Sequence, residues 1–479
     1  MVTARASGWP GRRWHFVGVG GVGMKSVAAL AFQLGLTVSG SDPQPSPITR
    51  RLQELGVDFR HGPTARNINS DLDAVVITTI IPPDDPEVVA AHRLGIPVLH
   101  RSQALARLVE GRPSIGVLGS AGKGTTAGAL TSILRGAGLD AGFYLGWHLR
   151  SEGSSVQSGR DWMVLEIDES DGSMRNFTPD LVVITNLYRE HLDYYGDLDT
   201  MIDEFAAWLI GNERLRAAVL NADDPGSRRL ARRLIDSGIT VVGYGFGPAA
   251  RHRGSELRTT LTDLTLRWEA PAQPAVDLRA RVGMPYNGHN LLAAAAAAHW
   301  LGIATETVRA ALVDYEGIAG RLEVLVGESG VTFVGAYAAV PESLDAVVDQ
   351  ILACHAPDDV LMVFQPNRSW RLSSFLAPYV AALRRMNHVV ITDLAETFVG
   401  QTERHRRLEA ERSASDARSE ADLVAALGPH ARCVPAERLE AVLREETRRF
   451  RVIAVVAGGE AFLDRMARAV TGAALPAER

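Results

Sequence analysis

The sequence predicts an α/β protein of about three domains, and three observations carry that reading. Its 479 residues exceed one ordinary core, at roughly 150 residues per domain. Short apolar strands alternate with helical patterns along the chain. Two separate glycine-rich turns each stand between a strand and a helix, the arrangement in which parallel sheets hold phosphate-bearing ligands at one edge.

Composition narrows the class. Hydrophobic residues make up 46% and charged residues 22%, the values of an ordinary globular chain. A formal charge of −6 argues against a nucleic-acid or membrane partner. Two cysteines, Cys354 and Cys433, exclude a disulfide scaffold and a four-cysteine zinc site. No apolar run approaches the roughly 18–20 residues of a membrane span. Glycines break the segment after Arg5, Arg12 and Arg13 where a signal-peptide core would lie, so the expected location is cytoplasmic. Of the 50 basic residues, two are lysine, Lys25 and Lys123. Both fall at glycine turns, where a compact point charge fits and a guanidinium fork does not.

Residues 14–23 read as a buried strand entering the turn of Gly18, Gly20, Gly21 and Gly23. A helix over 24–34 and a strand over 36–40 follow, ending in Ser41-Asp42. An acid about 20 residues beyond the glycines fits a nucleotide-like ligand, with Lys25 placed to add charge toward a diphosphate. Alternation continues through 73–79, 86–94 and 97–99, and the first domain ends near 110. A second block, 111–318, opens with a strand over 114–118, a glycine turn and a helix from Thr125. Strands at 162–167, 181–186, 217–221 and 241–244 continue it. Apolar–polar alternation over 257–282 predicts a β-hairpin insertion, and the alanine-rich 289–300 a buried helix. The third block, 319–479, has strands at 331–334, 360–364, 389–393 and 452–456. Its polar run 401–420 reads as a solvated helix or loop.

The strongest chemical signal is Gly119-Ser120-Ala121-Gly122-Lys123-Gly124-Thr125-Thr126. Glycines let backbone N–H groups turn inward around phosphate oxygens, and Lys123 would neutralise β/γ-phosphate charge. A hydroxyl that normally holds Mg²⁺ is replaced by Gly124, and Thr125 is rotated about 100° around the helix. Glu166-Ile167-Asp168-Glu169-Ser170-Asp171 places four acids at a strand end, a setting that suits a hard cation or is a solvated acidic loop. Asn186 and His191 follow the next strand; the histidine there is a metal ligand, a phosphate contact or a plain surface residue.

Taken in order, these motifs resemble the Mur ligase family of peptidoglycan synthesis. The resemblance is strongest to the branches that load the first amino acid onto UDP-N-acetylmuramate or recycle muropeptides. It rests on Gly18-Val19-Gly20-Gly21-Val22-Gly23-Met24, Val38-Ser39-Gly40-Ser41-Asp42, Glu166 to Ser173, and Thr185-Asn186 through His191-Leu192-Asp193-Tyr194-Tyr195-Gly196. Gly288-His289-Asn290, Arg321-Leu322-Glu323 and Phe364-Gln365-Pro366 follow, so nearly the whole chain is covered.

The resemblance implies a Rossmann-like N-terminal domain (1–110) that holds a UDP-sugar through Gly18, Gly20, Gly21, Gly23, Lys25, Ser41 and Asp42. It implies a central P-loop ATPase-like domain (111–318) with a β insertion. That domain would bind ATP through Gly119, Ser120, Gly122, Lys123, Gly124, Thr125 and Thr126, with Asn290 at the adenine. A Rossmann-like C-terminal domain (319–479) would close with an amino acid on Asn367, Arg368 and Arg371. Mg²⁺ would sit on Glu166, His191 and Thr125, and Arg321 would reach the γ-phosphate. Lys123, Glu166, His191 and Arg321 thus form the implied catalytic set. The implied reaction joins a UDP-N-acetylmuramate-like acid to an amino acid through an acyl phosphate, in a monomer or homodimer.

Departures accompany the matches. The family's GTHGKTT becomes Gly119-Ser120-Ala121-Gly122-Lys123-Gly124-Thr125, and the second asparagine of HNxxN is Ala293. DDYAHHP becomes Gly335-Ala336-Tyr337-Ala338-Ala339-Val340-Pro341, and the histidine of FQPHRYTR is Asn367. Two readings therefore stay open: an active ligase, or a weak or inactive paralogue that binds UDP-sugar or nucleotide and acts as a regulator or partner protein. A NAD-dependent oxidoreductase would explain the first glycine loop alone.

Overall fold

The computed structural model describes residues 11–188, 191–320, 322–337, 341–367, 369–395 and 418–475. Arg321, Arg368, residues 338–340 and most of the polar run 401–420 lie outside the described residues. Three sheets follow one another along the chain. The first comprises β1 (Arg13–Val17), β2 (Thr37–Asp42), β3 (Asp58–His61), β4 (Ala74–Ile77) and β5 (Val98–His100), in the order β3-β2-β1-β4-β5. Its pairings are parallel, so both faces are covered and β1 buries Trp14 and Phe16 completely.

One side of this sheet carries a buried polar network. Ser41 Oγ donates to Glu87 Oε2 at 2.5 Å, and Asn67 Nδ2 to Glu87 Oε1 at 2.5 Å. His15 Nε2 lies 3.4 Å from Glu87, and His15 Nδ1 meets Ser39 Oγ at 2.8 Å. Burial opposes ionisation of Glu87, but these partners hold its carboxyl below the usual glutamate value.

The second sheet is built from β6 (Ser114–Leu118), β7 (Ala141–Leu149), β8 (Ser154–Gln157), β9 (Trp162–Glu166), β10 (Leu181–Ile184), β11 (Ala217–Asn221), β12 (Val241–Gly245), β13 (His252–Thr259), β14 (Leu264–Glu269) and β15 (Val276–Ala280). Their order is β15-β14-β13-β12-β11-β10-β6-β9-β7-β8. The expected hairpin insertion is a three-stranded meander, β13 to β15, whose first strand pairs parallel with β12 and so extends the sheet. The alanine-rich helix spans Asn287–Trp300, with Ala293 to Ala298 all fully buried. Small side chains let it lie close against the helix Lys123–Gly136 that follows the second glycine turn.

The third sheet has β16 (Leu322–Val326), β17 (Thr332–Tyr337), β18 (Val360–Phe364), β19 (Val389–Ile391), β20 (Ala431–Cys433) and β21 (Val452–Ala457), ordered β16-β17-β21-β18-β19-β20. It is joined to the second sheet by a built joint. Leu261, from the turn between β13 and β14, and Met284, just after β15, are buried in one core with Val334, Ala336 and Leu344. Gln350 Nε2 donates to Thr260 O at 2.7 Å. Arg150 pairs with Glu323 at 2.8 Å, and the Gly320 N–H donates to the same carboxylate at 2.6 Å.

Candidate functional site

The second glycine turn begins where β6 ends. Gly119 has φ +125° and Gly122 φ +86°, and a Cβ at either would collide with a neighbour: Thr185 and Asn186 at the first, the Asn290 carboxamide at the second. Only glycine meets both demands. Asn186 fastens the turn: its Oδ1 accepts from the Ala121 N–H at 2.8 Å and its Nδ2 donates to Ala121 O at 3.0 Å. The Ser120 N–H donates to Asn186 O at 3.1 Å, while Ser120 Oγ accepts from the Tyr188 N–H at 2.9 Å. Ser120 therefore holds the neighbouring loop. The first bond into the helix is Thr126 N–H to Gly122 O at 3.0 Å. The amides before Thr126 thus lack intrahelical acceptors, the condition for an anion-binding helix start.

Lys123 reaches back across this turn. Its Nζ donates to Gly119 O at 2.8 Å and to Glu169 Oε1 at 2.8 Å. Glu169 is fully buried, and its Oε1 also lies 3.6 Å from His191 Nε2. Burial works against charge on Lys123, yet Glu169, then Glu166 and Asp168, hold its ammonium above the ordinary lysine value. Burial likewise opposes ionisation of Asp168, but the Ser170 N–H and hydroxyl and the charges of Lys123 and Arg101 hold its carboxyl low. Glu169 is the residue the sequence left inside an acidic run without a role of its own.

Glu166 ends β9 and accepts from the Gly146 N–H at 2.7 Å. A Cβ at Gly124 would stand 3.1 Å from Glu166 Oε2, so Gly124 is the residue that faces this carboxylate. Thr125 follows in the same helix turn and lines a cavity of about 380 Å³ with Arg150, Asn287 and Ile318. His191 holds a left-handed φ of 56° and its carbonyl caps the helix Leu192–Tyr195. Among the described residues no cluster of three or more His, Cys, Asp or Glu could hold a metal by itself. Glu166 beside Gly124 fits a Mg²⁺ carried in largely on phosphates and water, the usual habit of that ion.

Asn290 is buried and donates through Nδ2 to Asn287 Oδ1 at 2.8 Å, packed against Gly122. Thr126 is fully buried beneath the turn.

At the first glycine turn, Gly18 has φ +70°, the Gly20 N–H donates to Asp42 Oδ2 at 3.0 Å, and Gly21 caps the helix Val22–Gln33. Asp42 thus shapes the turn, while Ser41 is committed to Glu87. Lys25 is buried and turned toward the second sheet, lining a cavity of about 430 Å³ with Val22, Trp147, His148, Ala461 and Leu475. In the third sheet, Asn367 follows β18 and is buried against Gly458, with neither amide atom hydrogen-bonded among the described residues. Arg371 lies in the first turn of the helix Ser369–Leu383.

Comparison with known proteins decides the class. The Mur ligase family catalytic-domain model matches residues 13–112, and the Mur ligase middle-domain model matches 117–298. Among curated relatives, the UDP-N-acetylmuramate–L-alanine ligase of Syntrophus aciditrophicus is 36% identical over 386 residues, covering 80% of this chain and 79% of its own. The chain belongs to the Mur ligase family. A second such relative, from an Arthrobacter species, is 35% identical over 390 residues, covering 80% of this chain and 81% of its own. Two solved structures share the Mur ligase fold. The UDP-N-acetylmuramate–alanine ligase of Thermotoga maritima superposes with TM-score 0.76 at 23% identity, covering 95% of this chain and 98% of that one. The murein peptide ligase of Psychrobacter arcticus gives 0.68 at 18% identity, covering 97% and 99%. This Mur ligase is accordingly an enzyme of the ligase class with a three-domain α/β architecture. No helix among its described residues is long and apolar enough to cross a membrane.

Proposed function

We propose that this protein uses ATP to join a UDP-sugar-linked carboxylate, UDP-N-acetylmuramate or a related acid, to an amino acid. The observation that carries the proposal is the Lys123–Glu169–His191 cluster at the mouth of the glycine turn, with Glu166 beside Gly124. The three-sheet architecture supports the same reading, and we place the domain bounds at 110 and 318, one sheet for each of three ligands.

A carboxylate is a poor acyl donor because its leaving group would be oxide. Transfer of the γ-phosphoryl group to the carboxylate oxygen gives an acyl phosphate and ADP. The amine then attacks the acyl carbon, and the tetrahedral intermediate expels phosphate to leave an amide. Catalysis of such steps is mostly positioning and charge stabilisation. The amides of Gly122 to Thr125 and the Lys123 ammonium would gather the phosphates, and Glu169 would fix Lys123 in place. Glu166, His191 and Thr125 would hold Mg²⁺, which would supply charge neutralisation at the phosphates; Gly124 offers no hydroxyl. Asn290 would act on the nucleotide by setting the shape of the turn. Gly18, Gly20, Gly21, Gly23 and Asp42 would form the UDP-sugar loop, and Asn367, Arg368 and Arg371 the amino-acid side, with Arg321 at the γ-phosphate.

Phosphate release from ATP, Mg²⁺, UDP-N-acetylmuramate and a panel of amino acids tests the reading. Release that requires both the sugar acid and an amino acid is expected. Nucleotide binding without release for any acceptor would favour a non-catalytic paralogue, the role to which the missing hydroxyl at Gly124 points.

A further inference from the structure

Arg101 opens the helix Arg101–Val109 immediately after β5, at the carboxyl ends of the first sheet. Its guanidinium lies against the helix that follows the first glycine turn: a Cβ at Gly23 would stand 3.1 Å from Nη1 and 3.3 Å from Cζ. Nη1 donates to the Tyr144 hydroxyl at 2.9 Å, across the gap to the second sheet. One residue on, Ser102 Oγ accepts from Asn176 Nδ2 at 2.9 Å, a second tie that fixes the start of this helix to the central domain. Tyr144 itself stands opposite Leu165 of β9, the residue before Glu166 and the acidic loop.

No ion pair joins Arg101 to a carboxylate among the described residues, and its one hydrogen-bond partner there is the neutral Tyr144 hydroxyl. A guanidinium offers five N–H donors, and one is bound to Tyr144. A half-buried cation whose hydrogen-bond partner is a neutral hydroxyl is suited to an anion that arrives from solution. The reaction itself demands such a group, because a donor carboxylate must approach a triphosphate of like charge.

We propose that Arg101 is the carboxylate clamp of the donor side, its fork receiving the sugar-linked carboxylate and presenting it to the phosphates gathered by Lys123. This rests on the ligase reading above. The competing source of negative charge at the same place is the donor's diphosphate, and two ligands separate them. UDP-N-acetylglucosamine carries the same diphosphate without the carboxylate.

Calorimetric titration of the full chain with each ligand, in wild type, Arg101→Ala, Arg101→Lys and Tyr144→Phe, is the test. Arg101→Ala is expected to weaken UDP-N-acetylmuramate at least about tenfold, the loss of a charge-assisted pair, and to leave UDP-N-acetylglucosamine unchanged. Arg101→Lys should fall between, since a point charge replaces a fork. Tyr144→Phe, which keeps the core packing, should weaken the acid ligand more than the neutral one. Equal losses for both ligands, or none for either, overturn the clamp while leaving the ligase reading intact. Wild-type protein that binds an ATP analogue but not UDP-N-acetylmuramate overturns the donor reading and the clamp with it.

Discussion

At the residue scale, Lys123 and Gly124 pull in opposite directions. Lys123 is held charged beside Glu169 at 2.8 Å, so under the proposed function nucleotide would meet an ammonium already in position. Lys123→Ala should weaken binding of a non-hydrolysable ATP analogue by about ten- to a hundredfold, the range for hydrogen bonds to charged groups; fluorescence titration checks it. Gly124 has the reverse character, an omission where a side chain would stand 3.1 Å from Glu166 Oε2. Because the nearest atom is the end of a flexible carboxylate, Gly124→Ser should be accommodated. The added hydroxyl should lower the Mg²⁺ concentration needed for half-maximal nucleotide binding. Unchanged Mg²⁺ dependence would show that the metal does not sit between Gly124 and Glu166. Lys123 was legible in the sequence because lysine is so scarce. Glu169 was not: nothing in an acidic run says which carboxylate folds inward. Arg101 was hidden among many arginines, since its distinction is a missing partner, a property of the fold alone.

At the scale of single elements, strands with continuous apolar runs were plain: β6, β11 and β18 match their expected ranges residue for residue. β7 escaped because Gly142 and Gly146 interrupt its pattern, and β3, β16 and β20 are short or lie at sheet edges. The meander was read as a hairpin because alternation reports a half-exposed strand without saying what it pairs with. That meander carries a pH dependence. His252, on β13, stacks against Trp268 at 6.0 Å and stands 5.2 Å from His299. Burial, then the charges of His299 and Arg251, push its imidazole down to about 4. Folded protein resists the proton that unfolded chain accepts, so His252 costs nothing above its ordinary value near 6.5 and lowers stability as pH falls from there toward 4. Its contribution across that window is on the order of 3 kcal/mol. His252→Gln should flatten the fall in Tm between those pH values, as followed by circular dichroism. A parallel fall in wild type and variant would remove His252 as the cause. At the fully buried Ala295 of the alanine helix, Ala295→Leu should destabilise by about 1–3 kcal/mol through overpacking, read as a fall in Tm.

Across the whole molecule, side-chain contacts tie the three sheets together, and under the proposed function these joints decide whether the three sites meet productively. Arg150 and Glu323 bind the second sheet to the third at 2.8 Å, with Glu323 buried. Removing one partner from such a pair leaves an uncompensated charge and costs about 3 kcal/mol. Glu323→Ala should therefore lower the Tm and broaden the distribution of sizes seen in small-angle scattering, while nucleotide affinity at the glycine turn stays near wild type. The order of the three blocks was legible because each opens with its own strand signal. The joint was not, since Leu261, Met284 and Gln350 look like ordinary residues of their own domains until the fold brings them together. The proposed reaction requires a covalent acyl phosphate made where these sheets meet. The direct measurement is isotope transfer: UDP-N-acetylmuramate labelled with ¹⁸O in its carboxylate, incubated with ATP, Mg²⁺ and the accepted amino acid. An acyl phosphate predicts that one labelled oxygen appears in the released inorganic phosphate for each amide formed. Phosphate released without label, or none released while ATP and the sugar acid both bind, would contradict it.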